Sequence, residues 1–176
     1  MKSMPNITRK EASTIRLGVL SLAESMRMAN QQNQKNQQTR YNYRNLAVWR
    51  QAQDLALEVI NVAGQLPNTG VAAVLGRQLV ASAASIGANI AEGHGRFSLA
   101  AYRNHLSIAK GSACEADSWL DLLRRAGYID DELEVRLHRE CLALIGSLTI
   151  KIRDLEMKER GQREAKAVRE DQEVYL

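Results

Sequence analysis

Apolar residues recur along this chain at the three- and four-residue steps of an α-helix, in four separate stretches. The first runs from about Leu46 to Gln65 and places Leu46, Trp49, Ala52, Leu55, Ala56, Val59, Ile60, Ala63 and Leu66 on that rhythm. Pro67-Asn68-Thr69-Gly70 then breaks the chain. The second stretch, about Val71 to Glu92, carries Val71, Val74, Leu75, Leu79, Ala83, Ile86 and Ile90 on one side, and Gly93 is placed to end it as a left-handed terminator. Its wealth of Ala, Ser and Gly lets a neighbouring backbone approach closely. The third stretch has the strongest signal. Ser98 is a plausible N-cap, and Leu99, Tyr102, Leu106, Ala109, Ala113, Ala116, Leu120 and Leu123 then step 3-4-3-4-3-4-3 without a miss. Gly127 ends it, with Tyr128-Ile129 folding back on the last turn. The fourth opens with Asp130-Asp131-Glu132, acids suited to the positive end of a helix dipole. Its stripe is Leu133, Leu137, Cys141, Leu144, Leu148, Ile152 and Leu155.

Four long helices joined by short turns, with no segment patterned as a strand, predict an all-α fold: an up-down-up-down antiparallel four-helix bundle over residues 41–156. Residues 1–40 form a leader expected to be disordered or weakly helical, because its polar run Asn30 to Gln38 cannot bury enough apolar surface to offset ordering. From Glu156 onward the chain is charged on all sides, so 157–176 is expected as a charged tail or a fraying helix. Trp119, Leu122, Leu142 and Ile145 widen the apolar faces of the third and fourth helices beyond one stripe. Burial between subunits explains them, and so does a wide core-facing stripe.

Composition sharpens the picture only in places. The net charge of +4 divides unevenly: residues 1–40 hold seven Lys/Arg against two Asp/Glu, 41–155 hold twelve of each, and 156–176 hold five against six. The basic excess therefore sits in the leader, and the bundle is neutral, which weakens any inference from overall charge to a polyanion. Cys114 and Cys141 are too few and too far apart in the sequence for a disulfide framework or a zinc site, and both lie at helical positions among apolar neighbours. Buried free thiols, and a reducing, cytoplasmic compartment, are expected. The run Leu17 to Ala23 is too short to span a membrane.

Catalytic chemistry finds little support. His94, His105 and His138 lie in no ligand arrangement with one another or with a cysteine, and are expected to be solvated. No Ser-His-Asp or Cys-His constellation can be assembled, and neither metal nor cofactor is expected. Gly93-His94-Gly95-Arg96 has the flexible amides and cation of a phosphate loop, though two glycines between helices more often make a cap and a turn. For nucleic acid the candidate contacts are Arg77, Arg96, Arg103 and Lys110, with Arg124 and Arg125 beyond them. Arg103 and Lys110 are one heptad apart, on one helical face, and cyclic symmetry would repeat that small footprint into a ring. The alternative is a solvated face balanced by Glu115, Asp117 and Asp121.

Tyr43 to Ala52 reads as F/Y-x-x-L-x-V-W-x-x-A, and Ser85-Ile86-Gly87-Ala88-Asn89-Ile90-Ala91-Glu92-Gly93-His94-Gly95-Arg96 as S-I-P-x-N-I-A-E-G-x-G-R with Gly87 at the proline position. Leu106 to Ser112 matches L-x-I-A-x-G-S, and Gly127-Tyr128-Ile129 matches G-Y-L/I. In these motifs the chain resembles the four-helix bundle proteins encoded in 23S rRNA intervening sequences, over about residues 42–155. Glycine in place of mid-helix proline implies a straighter or more flexible second helix. The resemblance implies a homopentameric, barrel-shaped assembly. It also implies kinship in fold with the accessory variability determinant of diversity-generating retroelements, which binds nucleic acid and works with a reverse transcriptase. Asn89, Glu92 and Gly93 are the motif residues it singles out, with Asn89 and Glu92 either joining helices through polar contacts or capping a turn. The expectation is thus a non-enzymatic homo-oligomer that binds RNA, DNA or a nucleic-acid enzyme such as a reverse transcriptase. The alternative is a protein-only scaffold or adaptor.

Overall fold

The computed structural model describes residues 24–31 and 42–173, with side chains through residue 169. The chain divides into two units, Met1–Asn42 and Tyr43–Leu176. In the first, residues 24–31 are helical and exposed. The remainder of the leader, including most of its polar run, lies outside the described residues.

The second unit opens with a single 3-10 turn, Tyr43–Asn45, whose tyrosine ring meets Trp49 edge-on at 5.2 Å. Four α-helices follow: α1 Ala47–Gln65, α2 Gly70–His94, α3 Leu99–Arg125 and α4 Asp131–Glu173. No strand occurs among the described residues. Each start after the first has a side-chain cap. Thr69 Oγ1 accepts from the Ala72 amide (3.2 Å), Ser98 Oγ from Ala101 (3.1 Å) and Asp130 Oδ1 from Leu133 (2.8 Å), filling amides that a helix cannot bond internally.

Two predicted helix ends have different fates. After α3, Gly127 takes φ +76°, the amide of Tyr128 reaches the Leu123 carbonyl (2.9 Å) and that of Gly127 reaches Arg124 (2.9 Å), the Schellman pattern. Gly93 is not a terminator. α2 runs through it to His94, and no glycine other than Gly127 has positive φ among the described residues. The chain leaves the helix at Gly95, whose right-handed backbone (φ −79°) still donates to the last carbonyls.

Neighbouring helices pair in opposite directions. Ala52 and Gln53 of α1 meet Gly87 of α2, while Ala63 and Leu66 meet Gly76. Ser85 of α2 faces Ser112 of α3, and Asn89 faces His105. Arg124 of α3 meets Asp131 of α4, and Asp117 meets His138. Arg136 of α4 closes the ring on Glu58 of α1. Inside lie Leu55, Val59, Leu79, Ile86, Ile90, Leu106, Leu120, Leu123, Leu137, Leu144 and Leu148, each at most 2% exposed. At about 25 cal/mol per Å² of apolar surface removed from water, burial of such side chains is the main drive to fold.

The seam of α3 is buried from Leu106 to Leu123, with Leu99 and Tyr102 half-buried at its open end. Trp119 and Ile145 also pack against the core, whereas Leu122 and Leu142 are exposed. Cys141 is buried, but Cys114 is exposed, contrary to the expectation of two buried thiols. Cys114 sits one residue past the seam position Ala113, about 100° round the helix from it. The fourth helix does not stop near Leu155. It continues to Glu173 through the charged segment, supported in part by an Arg160–Glu164 pair at i,i+4 (2.9 Å).

Candidate functional site

The motif Ser85 to Arg96 covers the second half of α2 and the turn into α3, where the two helices touch through polar rather than oily groups. Small residues make this possible, because Ser85, Gly93 and Ser112 let the backbones draw together. Asn89 Nδ2 donates to the Ser85 carbonyl (2.9 Å) and to Ser85 Oγ (3.0 Å). Ser85 Oγ is then free to donate to Ser112 Oγ of α3 (3.0 Å). Asn89 Oδ1 stands 3.5 Å from Nδ1 of His105, and Arg96 Nε donates to the other ring nitrogen, Nε2 (3.3 Å). A His105 protonated on Nδ1 satisfies both contacts. Glu92 pairs with Arg96 and lies 3.7 Å from His105 Nε2.

Gly93 completes the junction from below. A β-carbon there would stand 2.7 Å from His105 Cβ, 2.9 Å from Tyr102 Cδ2 and 3.2 Å from the Tyr102 carbonyl. The motif glycine is therefore a close-approach residue of the α2–α3 contact. His94, the last residue of α2, meets the Tyr102 ring edge-on at 6.0 Å. Burial raises the Tyr102 phenol above its ordinary pKa, and its hydroxyl finds no hydrogen-bond partner among the described residues. One carboxylate oxygen of the nearly buried Glu159 is likewise unpartnered, while the other pairs with Arg103 (3.1 Å). Past the junction, Phe97 stands fully exposed in the turn.

The cations expected to face nucleic acid divide into two kinds. Arg96 is tied to Glu92 and His105, and Arg103 to Glu159 and Glu156 (3.8 Å). Arg124 is held by Asp121 (2.9 Å) and Asp131 (3.2 Å), and Arg125 by Asp121 (3.4 Å). Among the described residues Arg77 and Lys110 have no ion pair. Arg77 is exposed on α2 and Lys110 half-exposed on α3. Arg96 lies beyond the end of α2, and the seventeen steps from Arg77 to His94 alone span roughly 26 Å at the helical rise, so the four form no single patch.

The acids expected to balance Arg103 and Lys110 have other partners. Asp117 holds His138 at 2.6 Å, Asp121 holds the two arginines, and Glu115 accepts from the Trp119 indole (3.3 Å). His105 and His138 are thus bonded residues rather than the solvated ones expected. The hydrogen bond that His138 donates to Asp117, reinforced by the carboxylate's charge, lifts the His138 pKa. Between α1 and α4, burial and then the charge of Glu58 hold Glu140 above the usual carboxylate range, with Arg136 opposing.

Chemically the α2–α3 junction can fasten two helices at a fixed height and angle. The Asn89–Ser85 spacing of i,i+4 is visible in the sequence, but its partners Ser112 and His105 are not, because they arrive from another helix. Glu159 was missed for a similar reason: it belongs to the charged segment, and only the continuation of α4 brings it back over Arg103. Among the described residues no group of three His, Cys, Asp or Glu could hold a metal ion.

Comparison with known proteins returns the same fold. The family model for the 23S rRNA-intervening sequence protein matches residues 44–149. A crystal structure of a protein with unknown function from the S23 ribosomal protein family, from Bacteroides thetaiotaomicron, is similar at 31% identity with a TM-score of 0.57. The match covers 60% of this chain and 98% of that one. No curated protein matches. With the family model spanning more than half its length and the motif residues building the α2–α3 junction, the chain belongs to the 23S rRNA-intervening sequence protein family.

Proposed function

We propose that the protein is a non-enzymatic, homo-oligomeric helical bundle of the cytoplasm, an assembly module that works by binding. One observation carries this reading: α2 is apolar on its outside as well as on its core face. Over 25 residues its charged side chains are Arg77 and Glu92, yet only 39% of its most apolar stretch is buried within the chain. By length and composition α2 could cross a membrane, but its inner face already forms the bundle core. Its outer face presents Val74, Ala81, Ala84 and Ala88, and Leu57 and Ile60 are exposed on α1, which packs beside it. A surface helix of a monomer ordinarily carries charge on that side. A second copy covering this face accounts for the pattern, and a closed ring of copies, such as a pentamer, follows if the contact is heterologous.

Light scattering on the full chain tests the proposal. The wild type is expected to be oligomeric, and Ala81→Glu with Ala84→Glu is expected to give a folded monomer. A wild type that is monomeric at micromolar concentration removes the reading.

A nucleic-acid partner, directly or through an enzyme such as a reverse transcriptase, is the second reading. It is supported by Arg77 and Lys110, the two candidate cations without a counter-ion among the described residues. Binding to structured RNA would weaken with rising salt and be lost in Arg77→Glu with Lys110→Glu. Absence of binding at low salt leaves the protein-only scaffold.

A further inference from the structure

The edge between α3 and α4 is lined by facing side chains that meet in pairs. Arg124 meets Asp131 (3.2 Å) and Glu134 (4.0 Å), and Asp117 meets His138 (2.6 Å). Far along the same edge, Arg103 meets Glu156 and Glu159. From Arg124–Asp131 to Asp117–His138, seven residues back along α3 are matched by seven forward along α4, a register that has shifted by the time Arg103 meets Glu156 and Glu159. One turn back from Asp117 is Cys114, and one turn forward from His138 is Cys141. The two cysteines therefore occupy adjoining positions on the next rung. Small side chains, Ala113 and Ala116, both fully buried, flank Cys114 on α3. A disulfide requires Cα atoms within about 7 Å, a spacing reached where helices pack through small side chains. Cys114 and Cys141 are also near enough for the charge of one to act on the other.

We propose that Cys114 and Cys141 are an oxidisable dithiol that closes to an intrachain disulfide and clamps α3 to α4. The two thiols have different parts. Cys114 is exposed and meets the oxidant, whereas Cys141 is wholly buried and does not. Burial, followed by the charges of Asp117 and Glu140, pushes the Cys141 thiol up to about 12, which keeps it protonated and inert until a partner sulfur is presented.

With hydrogen peroxide as oxidant, the Cys114 thiolate attacks one peroxide oxygen. An S–O bond forms, the O–O bond breaks, and the departing hydroxide takes up a proton as water. Cys141 sulfur then attacks the sulfur of the Cys114 sulfenic acid. The S–S bond forms, the S–O bond breaks, and the leaving hydroxide carries off the Cys141 proton as a second water. Both sulfurs are oxidised, one peroxide is reduced, and two waters are made.

The test treats the full chain with hydrogen peroxide, quenches it, and counts thiols by alkylation after unfolding, with peptide mapping. The expected result is a monomer lighter by two hydrogens, alkylatable thiols falling from two to none, and one linked peptide pair containing Cys114 and Cys141. Cys114→Ser, a change on the surface, should keep Cys141 reduced under the same treatment. Reversal by dithiothreitol should restore both thiols. Cys114 trapped as sulfinic acid, a Cys114–Cys114 link between chains, or no loss of thiols would each overturn the proposal. The map of the wild type decides without any variant at Cys141.

Discussion

A single methyl group separates two opposite outcomes at the glycines of this bundle. In a helix, Gly→Ala gains up to about 1 kcal/mol from backbone entropy. At Gly111 of α3 an added β-carbon meets nothing, so Gly111→Ala should stabilise by roughly 0.5–1 kcal/mol in urea unfolding. At Gly93 the added carbon runs into His105 and the Tyr102 carbonyl, backbone that cannot swing aside. Gly93→Ala should therefore destabilise by roughly 1–3 kcal/mol, the cost of overpacking. Equal effects at the two sites would mean that α2 and α3 are not in close contact.

His138 gives a second residue-scale expectation. Its folded pKa is raised above the ordinary value of 6.5 by Asp117, so the pair's contribution is fully present below the unfolded pKa and is lost as pH rises through the folded one. The melting-temperature deficit of His138→Gln should be larger at pH 6 than at pH 9, and small throughout because the pair is partly exposed. The site was legible in the sequence only as a motif. Two glycines two residues apart mark a helix end, but only the partner helix reveals that Gly93 is a contact and that Gly95 lies at the exit. Cys114 could have been read correctly, since the seam through Ala113 and Ala116 already turns it away from the core.

Among the elements, α3 was the most legible because its spacing never slips, and a regular stripe needs no knowledge of its partner to be recognised as buried. The continuation of α4 was not legible in the same way. Beyond Leu155 no apolar stripe records the helix, which rests instead on the Arg103–Glu159 contact and on pairs such as Arg160–Glu164. Truncation separates these contributions. Ending the chain after Arg160 should leave the melting temperature of the bundle within a few degrees of wild type, because residues 161–169 are exposed. Ending it after Asp154 removes buried Leu155 together with Glu156 and Glu159, and should lower that temperature clearly. Circular dichroism through a thermal ramp reads both.

For the molecule as a whole, the helix count, order and inner faces follow from periodicity, whereas the outer faces carry their meaning only in an assembly. If copies meet through α2, Ile60→Glu on the adjacent face of α1 should weaken association in sedimentation while leaving the monomer's melt nearly unchanged, since Ile60 is half exposed. The long fourth helix has a further consequence for anything built on this scaffold. Its 43 residues extend roughly 64 Å without interruption, so a probe joined to it in continuous helix after Glu173 inherits a fixed bearing. Each residue inserted ahead of the probe would turn it by about 100° and advance it by about 1.5 Å, allowing its azimuth to be dialled one codon at a time.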